Sequence, residues 1–353
     1  MTSLPSTLKQ IADILSFSSN SVLLRDALMK ETMDWEAIVK VASLHLVLPT
    51  VFCRLKQKSL IDVLPLDLRV YLKELTSINR NRNKTLLAEI HNISKLFNHH
   101  NINHVFLKGS ALLAANYYKD IGERMIGDID ILVHINDLDT AYNLLITNKH
   151  TPLPETLGQQ YFEHKHLPRL IPETGLGAIE LHKKLLSKPH FNVLNSDNVL
   201  KSKQLINNIY IPSSLYLLRH NVLNFQINDK AYFYTMLGLR SAYDTILLLK
   251  QHHEINFEQE LLDSYFNKYV LLISIFFKDI PKIPSTSKNN FQKYFFLLQI
   301  KHLHLKKVCH TILNYYLYCM LLMERSYLFL TNCNYRKAII KDRHRILKII
   351  KPK

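Results

Sequence analysis

The chain has 353 residues, of which 47% are apolar, enough to bury a sizeable core and to exclude a disordered chain. Lys plus Arg number 45 against 29 Asp plus Glu, a net charge of +16 that favours an anionic partner (nucleotide, RNA or anionic membrane) without fixing a fold. Only 7 glycines are present, where average usage gives roughly 25, which argues against an all-β protein built on glycine turns.

Residues 1–100 read as an N-terminal helical region. Apolar residues recur at three and four spacings in Leu8, Ile11 and Leu15, and again in Trp35, Ile38, Val39 and Ala42. A longer pattern runs from Leu66 to Phe97 through Leu72, Leu75, Leu86, Ile90 and Ile93, and reads as helix core. The texture changes at residue 101. His104–Lys108 is a short extended run ending at Gly109-Ser110, and Ala111–Tyr118 reads as the helix that follows. Ile129–Ile135 reads as a buried strand, and Asp137–Asn148 as a helix with Asn136 or Asp137 as N-cap. Gln160–Ile171 and Leu176–His182 read as two further strands, with a short last one at Asn207–Ile211. Mixed strands and helices across 101–212 predict an α/β core.

From 213 to 353 the pattern is helical again. Leu215–Phe225, Lys230–His252, Phe257–Phe277 and Phe291–Leu330 read as long helices, with a Pro/Ser-rich break at Asp279–Asn290. The end, Tyr335–Lys353, carries eight basic residues against Asp342, with Ile339, Ile346 and Ile350 on one face, and reads as a docked helix or a polyanion-binding element. Cys53, Cys309, Cys319 and Cys333 lack CxxC spacing, which argues against structural zinc, and Cys309 and Cys319 read as helix-core thiols. No secretory signal is evident. Tyr269–Phe277 is too short to span a membrane, and Val308–Leu330 carries His310, Asn314, Glu324 and Arg325, so a cytoplasmic protein with no transmembrane segment is expected, a secreted effector being the alternative.

The chemistry concentrates in Leu107–Val133. Gly109-Ser110 stands where a strand turns into a helix, a place where backbone and hydroxyl can approach phosphate. Asp128 and Asp130 lie two apart at the start of a buried strand, so both carboxylates face the same side. Two like charges so placed call for a cation, and hard oxygen ligands select Mg²⁺ or Mn²⁺. Glu180 offers a third carboxylate on a later strand. Three carboxylates and a phosphate-cradling turn are what two-metal phosphoryl transfer needs.

These residues resemble the DNA polymerase β-type nucleotidyltransferase superfamily, and more narrowly its "uncharacterised nucleotidyltransferase" branch. The similarity rests on Leu107-Lys108-Gly109-Ser110-Ala111-Leu112, a Tyr at 117 or 118, Arg124, Asp128-Ile129-Asp130-Ile131-Leu132-Val133 and Glu180-Leu181-His182. His220 and Asp244 match a later His and Asp on helices. The sequence departs from the superfamily in the 17 residues between Ser110 and Asp128 and in carrying Glu at the third carboxylate. The resemblance implies an α+β fold, a small mixed sheet forming the nucleotidyltransferase core between an N-terminal helical region and a C-terminal helical bundle. It implies transfer of a nucleoside monophosphate from an NTP, with release of pyrophosphate. Asp128, Asp130 and Glu180 would be the catalytic, metal-holding residues, with Lys108, Gly109, Ser110 and Arg124 on the nucleotide and His182, His220 and Asp244 supporting them. The acceptor is not readable; the net charge tilts it toward RNA or another polyanion. The alternatives are a nucleotide- or RNA-binding module without turnover, and a toxin or effector using the same fold.

Overall fold

The computed structural model describes residues 3–154, 161–281 and 283–341. The N-terminal region is five helices: α1 (Leu4–Leu15), α2 (Ser21–Leu28), α3 (Trp35–Leu44), α4 (Leu48–Gln57) and α5 (Leu66–His99). The apolar stripes foreseen in α1 and α3 supply buried Leu8, Ile11, Leu15, Ile38 and Ala42. The Asn20 side chain caps α2 by accepting from the Val22 and Leu23 amides, and Asp34 caps α3 through the Ala37 amide.

The sheet has five strands in the order β1-β2-β5-β4-β3: His104–Phe106, Asp128–Val133, Ala178–His182, Leu170–Pro172 and His150–Pro152. Only the central β2–β5 pair is parallel; the others are antiparallel, so the sheet is mixed and the fold is α+β. Ile129 and Ile131 of β2 and Ile179 and Leu181 of β5 are buried, each worth about 1.5–3 kcal/mol relative to exposure. Helices α6 (Lys108–Ala114) and α7 (Leu138–Thr147) follow β1 and β2. Helix α8 (Ser196–Lys201) and a separate hairpin, β6 (Gln204–Ile206) with β7 (Ile209–Ile211), complete this part.

Several elements differ from their sequence reading. Helix α6 begins at Lys108, so Gly109 and Ser110 belong to its first turn instead of preceding it. Asp137 does flank α7, but its carboxylate accepts from the Asn103 amide instead of capping the helix. The strand read over Gln160–Ile171 is coil from 161 to 169, touching β5 through a single bridge between His166 and His182, and becomes strand only at Leu170; residues 155–160 lie outside the described ones.

The C-terminal helices are more broken than their periodicity predicts. Helix α9 (Ser214–Leu223) runs into a π-helical turn, Asn224–Asn228. Lys230 and Thr235 adopt φ of 57° and 54°, which end the short α10 (Ala231–Tyr234) on both sides. Helix α11 (Leu239–Gln251) begins after Gly238, where a Cβ would stand 2.7 Å from the Phe225 ring. Helices α12 (Phe257–Glu260), α13 (Ser264–Ile273), α14 (Ser287–Lys301), α15 (Leu303–Thr331) and α16 (Cys333–Lys341) follow, and the break at His302 divides the predicted Phe291–Leu330 helix. Helix α15 buries none of its side chains, so Cys309 and Cys319 are only half-buried, not core. Ile339 is described and half-buried; Ile346 and Ile350 lie outside the described residues. No helix among the described residues is long and apolar enough to cross a membrane.

Candidate active site

The parallel register of β2 and β5 places Asp130 opposite Glu180, Asp128 opposite Ala178 and Leu132 opposite His182. Alternation then brings Asp130, Glu180 and His182 to one face. Their ligand atoms all lie within 4.8 Å of one another. The His182 Nε2 is 2.8 Å from Asp130 Oδ1 and 3.4 Å from Glu180 Oε2, while its buried Nδ1 has no partner among the described residues. Asp128 stands at the half-exposed rim of the same strand.

Two cations answer this charge. The Lys108 ammonium meets Asp130 Oδ1. The Arg169 guanidinium spans the other two acids, with Nη2 3.2 Å from Asp128 Oδ2 and Nε donating to Glu180 Oε1 at 3.1 Å. Burial opposes ionisation of Asp130, but the Lys108 charge and the His182 hydrogen bond outweigh it and hold the carboxyl far below the usual range. Burial acts the same way on Glu180 and is outweighed by hydrogen bonds from His182 and Arg169, which bring it down to about 2. At Asp128 burial wins, and its carboxyl is raised.

The turn from β1 into α6 is fixed by the strand beside it, since the Leu107 amide donates to the Asp130 carbonyl at 2.9 Å. Lys108 itself has φ 50°, a left-handed conformation that costs a non-glycine residue about 1–2 kcal/mol. The strained residue is the one whose side chain reaches Asp130, the pattern expected of a functional constraint. A Cβ on Gly109 would lie 3.1 Å from Ile126 Cγ1, so glycine lets α6 approach the segment before β2. Ser110 is fully buried and its hydroxyl donates to the Leu107 carbonyl at 2.9 Å.

Arg124 and Asp244 come together away from the carboxylates. The Arg124 Nε donates to Asp244 Oδ2 at 3.0 Å, and the Tyr118 hydroxyl donates to Asp244 Oδ1 at 2.8 Å, all three being buried. The loop holding Arg124 is itself gripped by α5. Asn79 Nδ2 donates to the Gly122 and Arg124 carbonyls, and Asn83 Nδ2 to those of Ile121 and Arg124. Further along α5, Glu89 accepts from the Leu176 and Gly177 amides just before β5. One helix therefore sets the entry of both acid-bearing strands. The sequence reading took α5 only as core; the signal overlooked is the polar run Asn79-Arg80-Asn81-Arg82-Asn83, which interrupts its apolar period. Arg169 was also missed, because nothing in its neighbourhood marks it in sequence.

Two hollows flank the cluster. A cavity of about 290 Å³ lies between the α3–α4 corner, Lys108 and the α9–α11 segment, and includes His220, Arg124 and Asp244 on its wall. The other, of about 500 Å³, lies between residues 161–166 and α15 and includes Lys165 and His166. His164 lines this second hollow as well.

A family model described as "Uncharacterised nucleotidyltransferase" matches residues 31–269, spanning all of α5, the sheet and α11. The chain belongs to this nucleotidyltransferase family. The match takes in both acid-bearing strands, Arg124 and Asp244. A crystal structure of an antigenic nucleotidyltransferase-like protein from Paracoccidioides brasiliensis is 15% identical, covering 57% of this chain and 95% of that one with a TM-score of 0.33. No curated protein matches the chain.

Within the family's fold, the donor set of Asp130, Glu180 and His182 suits a divalent cation. It offers two ionised carboxylates with the His182 imidazole at ligand-to-ligand spacing from both.

Proposed function

We propose that this protein transfers a nucleoside monophosphate from an NTP to an acceptor hydroxyl. The observation that carries the reading is the convergence of Asp130, Glu180 and His182 on neighbouring parallel strands, with Asp128 one repeat away, in a chain of this family. The acceptor oxygen bonds to the α-phosphorus as the bond to the bridging α–β oxygen breaks; pyrophosphate leaves, and the acceptor's proton passes to the carboxylate cluster.

Asp128, Asp130 and Glu180 would hold Mg²⁺ or Mn²⁺, which when bound supplies charge against the triphosphate and lowers the pKa of the attacking hydroxyl. Glu180, ionised down to about pH 2, suits a ligand better than a resting base. His182 orients Asp130 and Glu180 through Nε2. Lys108 and Arg169 already carry the counter-charge of the carboxylates and would offer donors to a triphosphate bound beside them. Gly109 and Ser110 shape the turn that presents Lys108, and Arg124 positions that turn's neighbour through Asp244. The net charge of +16 supports a polyanionic acceptor such as RNA.

The test is to incubate the protein with each α-³²P-labelled NTP and Mg²⁺ or Mn²⁺ against fractionated cell lysate. Label is expected in one fraction with wild type and in none with Asp128→Asn. Transfer at the wild-type rate by the Asp128→Asn/Asp130→Asn double variant, or no label from any NTP, would sink the reading.

A further inference from the structure

The cavity between the α3–α4 corner and α9–α11 is lined by Lys108, Arg124, His220 and Arg240 against Asp229 and Asp244. Arg240, half-buried in the first turn of α11, makes no hydrogen bond or ion pair among the described residues. Asp229, exposed at the end of the π-helical turn, lines the same wall and makes no side-chain hydrogen bond among the described residues. His220 is buried with its Nε2 unbonded. The other ions here are engaged, Lys108 with Asp130 and Arg124 with Asp244. Leu46, Leu217, Phe225 and Leu237 supply apolar wall. A half-buried guanidinium with no hydrogen-bond partner has all its donors to spare, and this one borders a cavity of about 290 Å³.

We infer that this cavity seats the polyphosphate of a nucleotide, with Arg240 as its anchor and Lys108 at the edge nearest the carboxylates. Lys108 both lines the cavity and touches Asp130, so a phosphate chain held at Arg240 leads toward the acid cluster. A planar guanidinium presents paired donors that match phosphate oxygens. Burial, reinforced by the Lys108 charge, keeps His220 neutral, so its ring offers a hydrogen bond without further charge. Asp229 is exposed on the cavity wall, where its carboxylate offers an acceptor to a sugar hydroxyl or base amine. In naming a nucleotide the inference rests on the transferase reading; the basic lining with its unbonded guanidinium stands without it.

Tripolyphosphate and adenosine are titrated calorimetrically into the full chain in EDTA, with Arg240→Gln, Arg240→Lys and Lys188→Gln, the last altering a cation of the opposite hollow. Arg240→Gln is expected to weaken tripolyphosphate at least about tenfold, the size of one lost charged hydrogen bond, and to leave adenosine within about twofold. Should Arg240→Gln fail to fold by circular dichroism, Arg240→Lys carries the comparison, with a loss of about threefold or more expected. Unchanged affinity in the Arg240 variants, a greater loss in Lys188→Gln, or no tripolyphosphate binding by wild type overturns the assignment. Nucleotidyl transfer is scored separately: transfer with Arg240-independent binding removes the cavity and keeps the transferase, and Arg240-dependent binding without transfer does the reverse.

Discussion

Asp128 and Asp130 differ in what a substitution leaves behind. Asp130 is buried and carries the counter-charge of Lys108, so Asp130→Asn strands an ammonium whose side chain is only 25% exposed. Breaking such a pair costs about 3–5 kcal/mol. Asp128 is at the rim, and Arg169 keeps Glu180 when Asp128 is neutralised. Asp128→Asn is therefore expected to change stability by less than about 1 kcal/mol and yet to abolish transfer. Urea denaturation of both variants checks the ranking, and equal losses would show that Lys108 does not depend on Asp130. Sequence alone, which shows two neighbouring like charges, predicts relief when one is removed; the lysine and histidine that reverse this expectation come from other elements.

At the scale of elements, α5 is a strut. Its apolar residues Leu86, Ile90 and Phe97 enter the core, and its Asn79, Asn83 and Glu89 satisfy backbone groups of the loops that lead into β2 and β5. Asn83→Leu preserves volume but leaves the Ile121 carbonyl without its donor and the Arg124 carbonyl with Asn79 alone. The expected cost is about 1–3 kcal/mol. Because that loop carries Arg124 toward Asp244, transfer should fall in Asn83→Leu even though Asn83 makes no contact with the carboxylates. Unfolding midpoints together with initial transfer rates measure both effects; a destabilised variant with full activity at low temperature would mean the loop holds its place without α5.

For the whole molecule, acid is the revealing perturbation. Burial lowers His45 and His104 to about 4, and His220 well below its ordinary value. These rings sit in the α3–α4 corner, on β1 and on α9, so the effect is spread through the chain. Unfolded, each takes a proton near pH 6.5; folded, each refuses it. The unfolded state binds more protons between pH 6.5 and about 4, so the stabilisation is complete above 6.5 and is lost as pH falls through that window. His104 packs edge-on against Phe97, Phe106 and Tyr210, a setting that phenylalanine can share. In His104→Phe the slope of unfolding free energy between pH 6 and 5 should fall by about 1.4 kcal/mol per pH unit, one proton's worth. Parallel slopes for variant and wild type would show that His104 titrates alike in both states. The basic end makes a second whole-chain prediction. Replacing Arg343, Arg345, Lys348, Lys351 and Lys353 by Gln should weaken tRNA binding and flatten its salt dependence while leaving tripolyphosphate affinity unchanged. Equal tRNA affinity across 50–200 mM salt (roughly the range in which phosphate contacts are screened) would remove RNA as the acceptor.

The sequence by itself determined the chemistry-bearing strand and its phase. Ile129, Ile131 and Val133 alternate with Asp128 and Asp130, and a period of two allows only one arrangement of faces. It also determined the helical character of both flanks, because a period of 3.6 sustained over several turns is a local property. The tertiary structure decided everything that depends on register between distant segments. That Asp130 stands beside Glu180 and below His182 follows from a parallel pairing of strands some 50 positions apart, which no local pattern encodes. Arg169 reaches Asp128 and Glu180 from coil, Asn79 and Asn83 reach a loop 38 or more positions away, and Arg240 and Asp229 share a wall only because α9, its π-helical turn and α11 fold back on one another. Periodicity reports which face a side chain takes; it does not report what that face will meet, and in this protein the partners that set the charge of the site are all met across the fold.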